Sequence, residues 1–171
     1  MPNWCSSKLT VTNSTPKLEA FLKEHGLSFE AIVKPERPEN EENGWAIIAA
    51  QTAAWGTKWD LTEDEAKETA ASLLENDECI FDTAWSPPSE AIRALSEQTG
   101  ASFLLAYYEP GNWFWGAESI EDGSICEELV SDETQEQLKE FLMKYMDYST
   151  EEATEAVGWD EEEEEEENEE E

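Results

Sequence analysis

The stretch FDTAWSPP at residues 81–88 decides the fold, because it reads as a strand that ends at Ala84 and turns into a helix. Proline suits a first helical turn, where its missing N–H group would have no partner in any case. A second stretch, WGTKWD at residues 55–60, again places tryptophan beside threonine and aspartate. A tryptophan at such a corner belongs either to the core or to an exposed binding surface. We predict that Trp59 and Trp85 are core residues that hold the corner.

Hydrophobic spacing on both sides of this corner predicts alternating strands and helices. Strands are predicted at residues 4–12, 79–84, 101–108, 113–120 and 124–129, and helices at 16–25, 45–53, 63–75, 88–98 and 132–146, with a short one after Ser149. Residues 28–33 suit a short strand, and residues 34–44 a charged loop. The run at 45–55 fits a helix or a turn, and helix is favoured for residues 45–53. The strand at 101–108 is apolar on both faces, so it is expected to be central.

This order of elements predicts an α+β fold, a ferredoxin-like sandwich with a mostly antiparallel sheet and helices on one face. Residues 1–130 are expected to form this domain, and residues 131–158 to form appended helices that pack on it. The last long helix carries an apolar stripe that is too hydrophobic to stay in water. The stripe consists of Leu138, Phe141, Leu142, Tyr145 and Met146. Residues 159–171 are rich in glutamate and predict a disordered tail.

The chain is strongly acidic, with 43 acidic and 10 basic residues and a net charge of −33. The tail does not account for this, because the first 150 residues alone keep 29 acids against 10 bases. Such a field repels nucleic acid and anionic membranes and attracts basic surfaces. Cys5, Cys79 and Cys126 fit no zinc spacing and are expected to be small buried hydrophobes. The sequence shows no signal peptide or long apolar run, which favours a reducing cytoplasm.

Four sequence blocks occur in order along the chain: MPNWC at residues 1–5, WGTKWD at 55–60, FDTAWSPP at 81–88 and YEPG at 108–111. Together they resemble a family of phage and plasmid proteins with a ferredoxin-like domain of the YubB or Api-like type. The resemblance covers about residues 1–128 and implies the fold and a mobile-element origin, but no activity or catalytic residue. Relatives on plasmids tend to lie among genes that protect incoming DNA from host defence. The helices at 62–76 and 132–146 and the tail depart from the family pattern.

Three acidic residues, Asp60, Asp82 and Glu109, are candidates for a cluster at the sheet ends. Such a cluster would suit Mg²⁺ and phosphoryl chemistry. The alternative is that Asp60 and Asp82 accept hydrogen bonds from indoles, hydroxyls or turn amides. We favour this alternative and predict no metal and no cofactor. We also predict no enzyme activity, because the histidine and cysteines show no nucleophile–base pattern.

Tryptophans offer stacking platforms for single-stranded nucleic acid or a nucleotide. The candidates are Trp4, Trp55, Trp59, Trp85, Trp113 and Trp115. Such a site also needs a positive patch, for which Lys8, Lys58 and Arg93 are available. The net charge opposes this function, and most of these tryptophans are expected in the core with their N–H groups hydrogen-bonded. A nucleic-acid- or nucleotide-binding accessory module is therefore the alternative function.

The function that we predict is non-catalytic inhibition of a basic host protein. Carboxylates along a folded surface can imitate the phosphates of DNA and occupy a basic groove. Solubility needs a net charge of only about 2–8, so the excess indicates a function. The proposed acidic face consists of Glu118, Glu121, Asp122, Glu127, Glu128, Asp132, Glu133 and Glu136. The expected partner is a basic, nucleic-acid-binding protein of host defence, such as a nuclease, in the bacterial cytoplasm. No direct binding of this chain to nucleic acid or membrane is expected.

Overall fold

A computed structural model of the protein describes residues 3–36, 38, 39, 43–130 and 134–158. Its strands are β1 (Trp4–Asn13), β2 (Glu78–Ala84), β3 (Ser102–Glu109), β4 (Phe114–Glu121) and β5 (Ser124–Val130). Its helices are α1 (Pro16–His25), α2 (Phe29–Ile32), α3 (Gly44–Trp55), α4 (Glu63–Asn76), α5 (Ser89–Thr99), α6 (Gln135–Tyr145) and α7 (Thr150–Val157). The predicted elements are confirmed to within a few residues, except at 28–33. The glutamate-rich tail and the predicted helix start at Asp132 lie outside the described residues.

The chain up to Val130 is one unit, built on a five-stranded antiparallel sheet in the order β2-β1-β3-β4-β5. The strand β3 is therefore central, as its two apolar faces predicted. Both β2 and β3 run antiparallel to β1, which lies between them. The crossover from β2 through α5 to β3 thus forms a split βαβ unit. The predicted α+β fold is confirmed.

The core of this unit lies on one face of the sheet, under helices α1 to α5. Leu9 on β1 stands opposite Cys79 on β2 and Leu105 on β3, and all three side chains are buried. Phe103 on β3 and Ile120 on β4 extend the same apolar surface. The helical side chains packed on it are Leu18, Leu22, Phe29, Ile32, Trp55, Ala70, Leu73, Ala91, Ile92 and Leu95.

Local capping signals place the helix starts where the sequence predicts them. Thr15 caps α1 through its side chain, directly before the proline at the first helical position. Thr62 and Glu65 form a complete capping box at α4, and Ser149 and Glu152 form another at α7. These interactions need only residues three apart, which explains why the sequence reveals them.

The prediction of a strand at residues 28–33 is wrong, because this segment forms the one-turn helix α2. The Ser28 side chain accepts a hydrogen bond from the Ala31 N–H, at 3.3 Å. The Asp60 carboxylate accepts further hydrogen bonds from the N–H groups of Phe29 and Glu30, at 2.7 and 3.0 Å. Satisfying these first-turn amides stabilises a helix that its own four residues would not hold.

The second unit begins at residue 131, and its described part is the helix pair α6 and α7. The two helices contact each other. Leu138, Phe141 and Leu142 of the predicted stripe are buried, together with Ala153 and Val157 on α7. The packing of this pair on residues 1–130 stays a prediction. Among the described residues, no helix has the length and apolar character needed to cross a lipid bilayer.

We predict that Leu142→Asp lowers the melting temperature clearly, because a charge in a buried leucine position costs about 3 kcal/mol or more. Met143→Asp is the matched control, since this neighbour on α6 is exposed. Thermal unfolding followed by circular dichroism gives the comparison. Equal melting curves for Leu142→Asp and wild type, with early proteolysis in α6, would show instead that the helix is a free arm.

Candidate functional site

The four sequence blocks meet at one end of the sheet. The backbone oxygen of Asn3, in the first block, accepts a hydrogen bond from the Trp85 N–H of the third, at 2.9 Å. Gly111, in the fourth block, has no room for a Cβ atom, because the Asn3 amide and the Glu109 carboxylate occupy that space. The second block is joined to the third by hydrogen bonds from the Thr57 and Ser86 hydroxyls. Blocks that are far apart in sequence therefore build one local structure.

Hydroxyl groups connect the blocks at 55–60 and 81–88. The Thr57 hydroxyl donates to the Ala84 carbonyl at 2.8 Å, and the Ser86 hydroxyl donates to the Gly56 carbonyl at 2.6 Å. Thr83 closes the turn by donating to the Ser86 carbonyl at 2.8 Å. The Gly56 and Ser86 carbonyls lie outside the strand pairing, so the serine and threonine hydroxyls supply donors for them. The Ala84 carbonyl, at the end of β2, also accepts from the Lys58 N–H at 3.4 Å.

This junction presents a lysine between two indole rings. The Lys58 ammonium lies 4.3 Å from the centre of the Trp59 ring and 4.2 Å from that of Trp85. Trp4 adds a third ring, tilted, with its centre 6.4 Å from that of Trp59. We call these four residues the aromatic corner. The double cation–π contact went unpredicted, although a lysine between two tryptophan-bearing blocks is a signal for it.

The prediction that Trp59 and Trp85 are core residues is wrong. Trp59 is 41% exposed, Trp85 is 38% exposed and Trp4 is 51% exposed. Trp85 has a φ of 75°, in the left-handed region that bulky side chains rarely adopt. The chain thus leaves the strand alternation at this residue, and the indole turns away from the core. Strain of this kind is found at binding and switch regions, where the surroundings hold it in place.

The other candidate tryptophans divide between core and surface. Trp55 is buried, its ring packs against Phe29 with 6.3 Å between ring centres, and its indole N–H donates to the Val33 carbonyl at 2.9 Å. Trp115 on β4 is also buried, whereas Trp113 in the preceding turn is exposed. The expectation of a core position is therefore right for two of the six candidates.

The three acids proposed for a cluster do not share a site. Two of them have separate structural roles, and the third is exposed on β2. Both oxygens of Asp60 are used at the start of α2, where the Ser28 hydroxyl also donates at 2.9 Å. Glu109 is buried and accepts from the N–H groups of Gly111 and Asn112, at 2.6 and 2.7 Å. Asp82 is exposed on β2. The described residues contain no group of three or more His, Cys, Asp or Glu suited to a metal ion.

The candidate basic patch does not form, because each cation has its own partner. Lys8 lies 3.1 Å from the Glu78 carboxylate, and Lys58 is held in the aromatic corner. The Arg93 guanidinium pairs with Glu90 at 3.0 Å and donates from Nε to the Gly123 carbonyl at 3.1 Å. The three charges are thus neutralised or stacked separately instead of lining one groove.

Several of the carboxylates proposed for an acidic face are exposed, and most of these lie on the hairpin of β4 and β5. Glu121, Asp122, Glu127 and Glu128 are exposed there, and Glu136 is exposed on α6. Glu127 and Glu128 are successive residues of a strand, so they point to opposite faces of the sheet. Asp132 and Glu133 lie outside the described residues. The hairpin therefore carries four of the predicted carboxylates in exposed positions.

Glu118 was predicted as part of this face, but it is buried, which corrects its assignment. It lies on the helix-covered face of β4, opposite Leu105. Burial raises the pKa of this carboxyl, the Ser89 hydroxyl hydrogen bond opposes the shift, and Glu128 adds to it. Within the described part of the chain, its Oε2 atom has no hydrogen-bond partner. A buried carboxylate of this kind is costly when ionised.

Two of the three cysteines are buried, and the histidine lies at the end of α1. Burial raises the pKa of the Cys5 and Cys79 thiols to about 12, so both stay protonated at neutral pH. Cys126 is exposed, which corrects the expectation that all three cysteines are buried. His25 ends α1 and lies 3.8 Å from the Glu24 carboxylate.

Comparison with known families identifies the domain type. A family model described as the ferredoxin-like domain in Api92-like protein matches residues 54–171, more than two thirds of the chain. Three of the four blocks lie inside this range, as do α4 and α6. No curated protein and no solved structure is significantly similar to the chain.

We predict that Trp85→Ala folds and loses only about 0.5–1 kcal/mol of unfolding free energy, which is the value of an exposed cation–π contact. Trp55→Ala should lose about 3–5 kcal/mol, because this ring is buried. Urea unfolding of both variants provides the measurement. If Trp85→Ala loses as much unfolding free energy as Trp55→Ala, Trp85 is a core residue after all.

We also predict that Glu118→Gln stabilises the protein at pH 7 by about 1 kcal/mol, or roughly 2–4 °C in melting temperature. The folded state raises the pKa of Glu118, so wild type loses stability as pH rises from the unfolded towards the folded pKa. The difference between variant and wild type should therefore shrink at pH 4, where Glu118 is protonated. Glu127→Gln is the control, because this exposed residue of β5 points to the sheet face opposite to that of Glu118, and a pH-independent difference would contradict the assignment.

Proposed function

Since this chain belongs to the family of ferredoxin-like domains in Api92-like proteins, a description that names a fold and no activity, we propose its function from its surface. It is a non-catalytic acidic protein of a phage or plasmid, and it acts in the cytoplasm of the bacterial host. It binds a basic, nucleic-acid-binding protein of host defence. By presenting carboxylates in place of phosphates, it keeps nucleic acid from that protein's groove.

The observation that carries this proposal is a set of exposed carboxylates whose backbone is fixed where the β4–β5 hairpin meets α5. At the hairpin turn, the Gly123 N–H donates to the Ser96 hydroxyl at 3.2 Å, and the Gly123 carbonyl accepts from Arg93. A Cβ on Gly123 would come within 2.8 Å of Glu97, so the turn lies directly on the helix. The exposed acids on this junction are Glu90, Glu97, Glu121, Asp122 and Glu128.

Fixed carboxylates are better suited to mimicry than a flexible run of glutamates. A disordered segment must lose chain entropy when it binds, whereas side chains on a paired strand and a packed helix are already positioned. The charge also exceeds what solubility requires, since the net charge is −33 and about 2–8 suffices. Complementary charge of this size gives fast, salt-sensitive association with a basic surface.

The proposed lack of catalysis is supported by the state of the thiols and carboxylates. The buried thiols of Cys5 and Cys79 have raised pKa values and are poor nucleophiles. Asp60 and Glu109 direct their oxygens to backbone N–H groups, which gives both carboxylates a structural role.

A second candidate function rests on the aromatic corner. Trp4, Trp59 and Trp85 are exposed side by side, and Lys58 provides a local positive charge. Bases stack on such rings with about 1–3 kcal/mol each. A nucleic-acid- or nucleotide-binding accessory module would use this surface. The overall charge of the chain opposes that function, so we place it second.

The test uses a host protein recovered with the purified chain at low salt and released at high salt. In a competition assay with a labelled oligonucleotide, the wild-type chain should displace nucleic acid from this partner. The triple reversal Glu121→Lys, Asp122→Lys and Glu128→Lys should lose most of the inhibition, because it changes the fixed carboxylates. Deleting residues 160–171 should slow association and leave inhibition measurable.

The matched control is the triple reversal Asp64→Lys, Glu68→Lys and Glu75→Lys on α4. It changes the net charge equally at exposed positions of a helix that contacts β2, the opposite edge strand from β5. Equal losses for both triple variants would mean that only net charge matters. Simultaneous binding of this chain and the oligonucleotide would refute mimicry. Direct oligonucleotide binding that Trp59→Ala abolishes would favour the second candidate.

A further inference from the structure

Helix α3 is an uncharged element in a chain that is otherwise crowded with acids. Its sequence, GWAIIAAQTAAW at residues 44–55, contains no Asp, Glu, Lys or Arg. A helix that is apolar on all sides is normally buried. Here only Trp55 is fully buried, whereas Trp45 is 72% exposed and Ile47 is 37% exposed. The helix thus presents an apolar surface that its own domain leaves uncovered.

The exposed surface of α3 has the form of a docking face. Trp45, Ala49 and Ala53 are exposed at intervals of four residues, so they lie along one side of the helix. The small alanines allow another backbone to approach closely, and the tryptophan supplies a large anchor at one end. Aromatic anchors of this type carry much of the binding energy at protein interfaces.

The opposite end of α3 is fixed, which makes the face rigid. Trp55 packs on Phe29 and donates to the Val33 carbonyl. The helix ends at Gly56, in the left-handed conformation, and a Cβ there would lie 3.0 Å from both the Pro87 carbonyl and the Ser89 nitrogen. This anchoring holds the exposed face in position before any partner arrives, and that reduces the entropy cost of binding.

The charge of the chain indicates which kind of partner can bind to the exposed face of α3. Exposed acids lie near the C-terminal end of the helix: Glu30 on α2 directly follows Phe29, which Trp55 contacts, and the backbone nitrogen of Glu90 lies 3.2 Å from the Cβ position of Gly56. Glu36 and Glu39 are exposed in the segment leading into α3, together with Lys34. A second copy of the chain carries the same net charge of −33 and would be repelled, as would an anionic membrane. A protein with basic side chains around an apolar groove is complementary.

We propose that α3 is the docking helix for a protein partner whose apolar groove is bordered by lysine or arginine. This inference rests on the proposed function, because it assigns the short-range contact to the same basic partner. The carboxylates attract the partner over distance, and α3 inserts its face with Trp45 as the anchor. This is recognition of a helix by a groove.

The test uses a defined probe in place of the partner: a labelled amphipathic peptide of leucine and lysine, about five helical turns long. A peptide of the same composition in scrambled order, which cannot form an apolar face, is the comparison. Fluorescence anisotropy should show that the wild-type chain prefers the amphipathic peptide by about tenfold. Trp45→Ala should remove that preference, whereas Trp113→Ala, which also truncates an exposed tryptophan, should keep it.

Ala49→Glu separates docking from simple charge attraction. It adds a negative charge, so it should strengthen binding of a basic peptide if only electrostatics acts. If α3 docks through its apolar face, the same variant should weaken binding of the amphipathic peptide by about tenfold. Ala20→Glu, at an exposed position on α1, makes the same charge change away from α3 and should leave the preference intact.

Other outcomes overturn the inference in distinguishable ways. Equal binding of both peptides, which Ala49→Glu strengthens or leaves unchanged, would refute docking through α3 and leave the proposal of a basic partner intact. Failure of both peptides to bind at low salt would contradict the basic partner and with it the proposed function. A dimer in sedimentation velocity that Ala49→Glu dissociates would assign the face to a second copy of the chain.

Discussion

The fold depends on how the chain leaves β2 at Ala84. The split βαβ unit requires the crossover to begin there, so that α5 can pass over β1 and return as β3. The Ala84 carbonyl accepts the Thr57 hydroxyl, and Trp85 adopts a left-handed conformation while its N–H donates to Asn3. A few hydrogen bonds thus fix the end of β2, the start of the crossover to α5 and the residue that precedes β1. The exposed indoles follow from this geometry.

The sequence predicted those features that depend on short-range rules. Capping pairs such as Thr62 with Glu65 lie within one helical turn, and the double-sided apolar pattern of β3 marks a central strand. The helix α2 was missed because its stabilising acceptor, Asp60, comes from about thirty residues away. No local pattern reports such a partner.

The candidate site was less predictable, because burial of a side chain is decided by the tertiary structure. Trp55 and Trp59 lie in the same block, yet one is buried and the other is exposed. Glu118 fits a polar position of a hairpin in the sequence, but α5 covers that face of β4. Composition gave the acidic character of the chain correctly, but only the fold shows which carboxylates face solvent.

The positions of the exposed acids also affect whether another strand can pair with the edges of the sheet. The edge strand β5 exposes Glu127 and Glu128, and the other edge strand, β2, exposes Asp82. The pairing of β4 with β5 is also irregular between Ser119 and Ile120, a feature that strengthens local twist. An incoming strand would have to bring its own backbone against carboxylates on a twisted edge. The sheet is therefore protected from growing into an aggregate by strand addition.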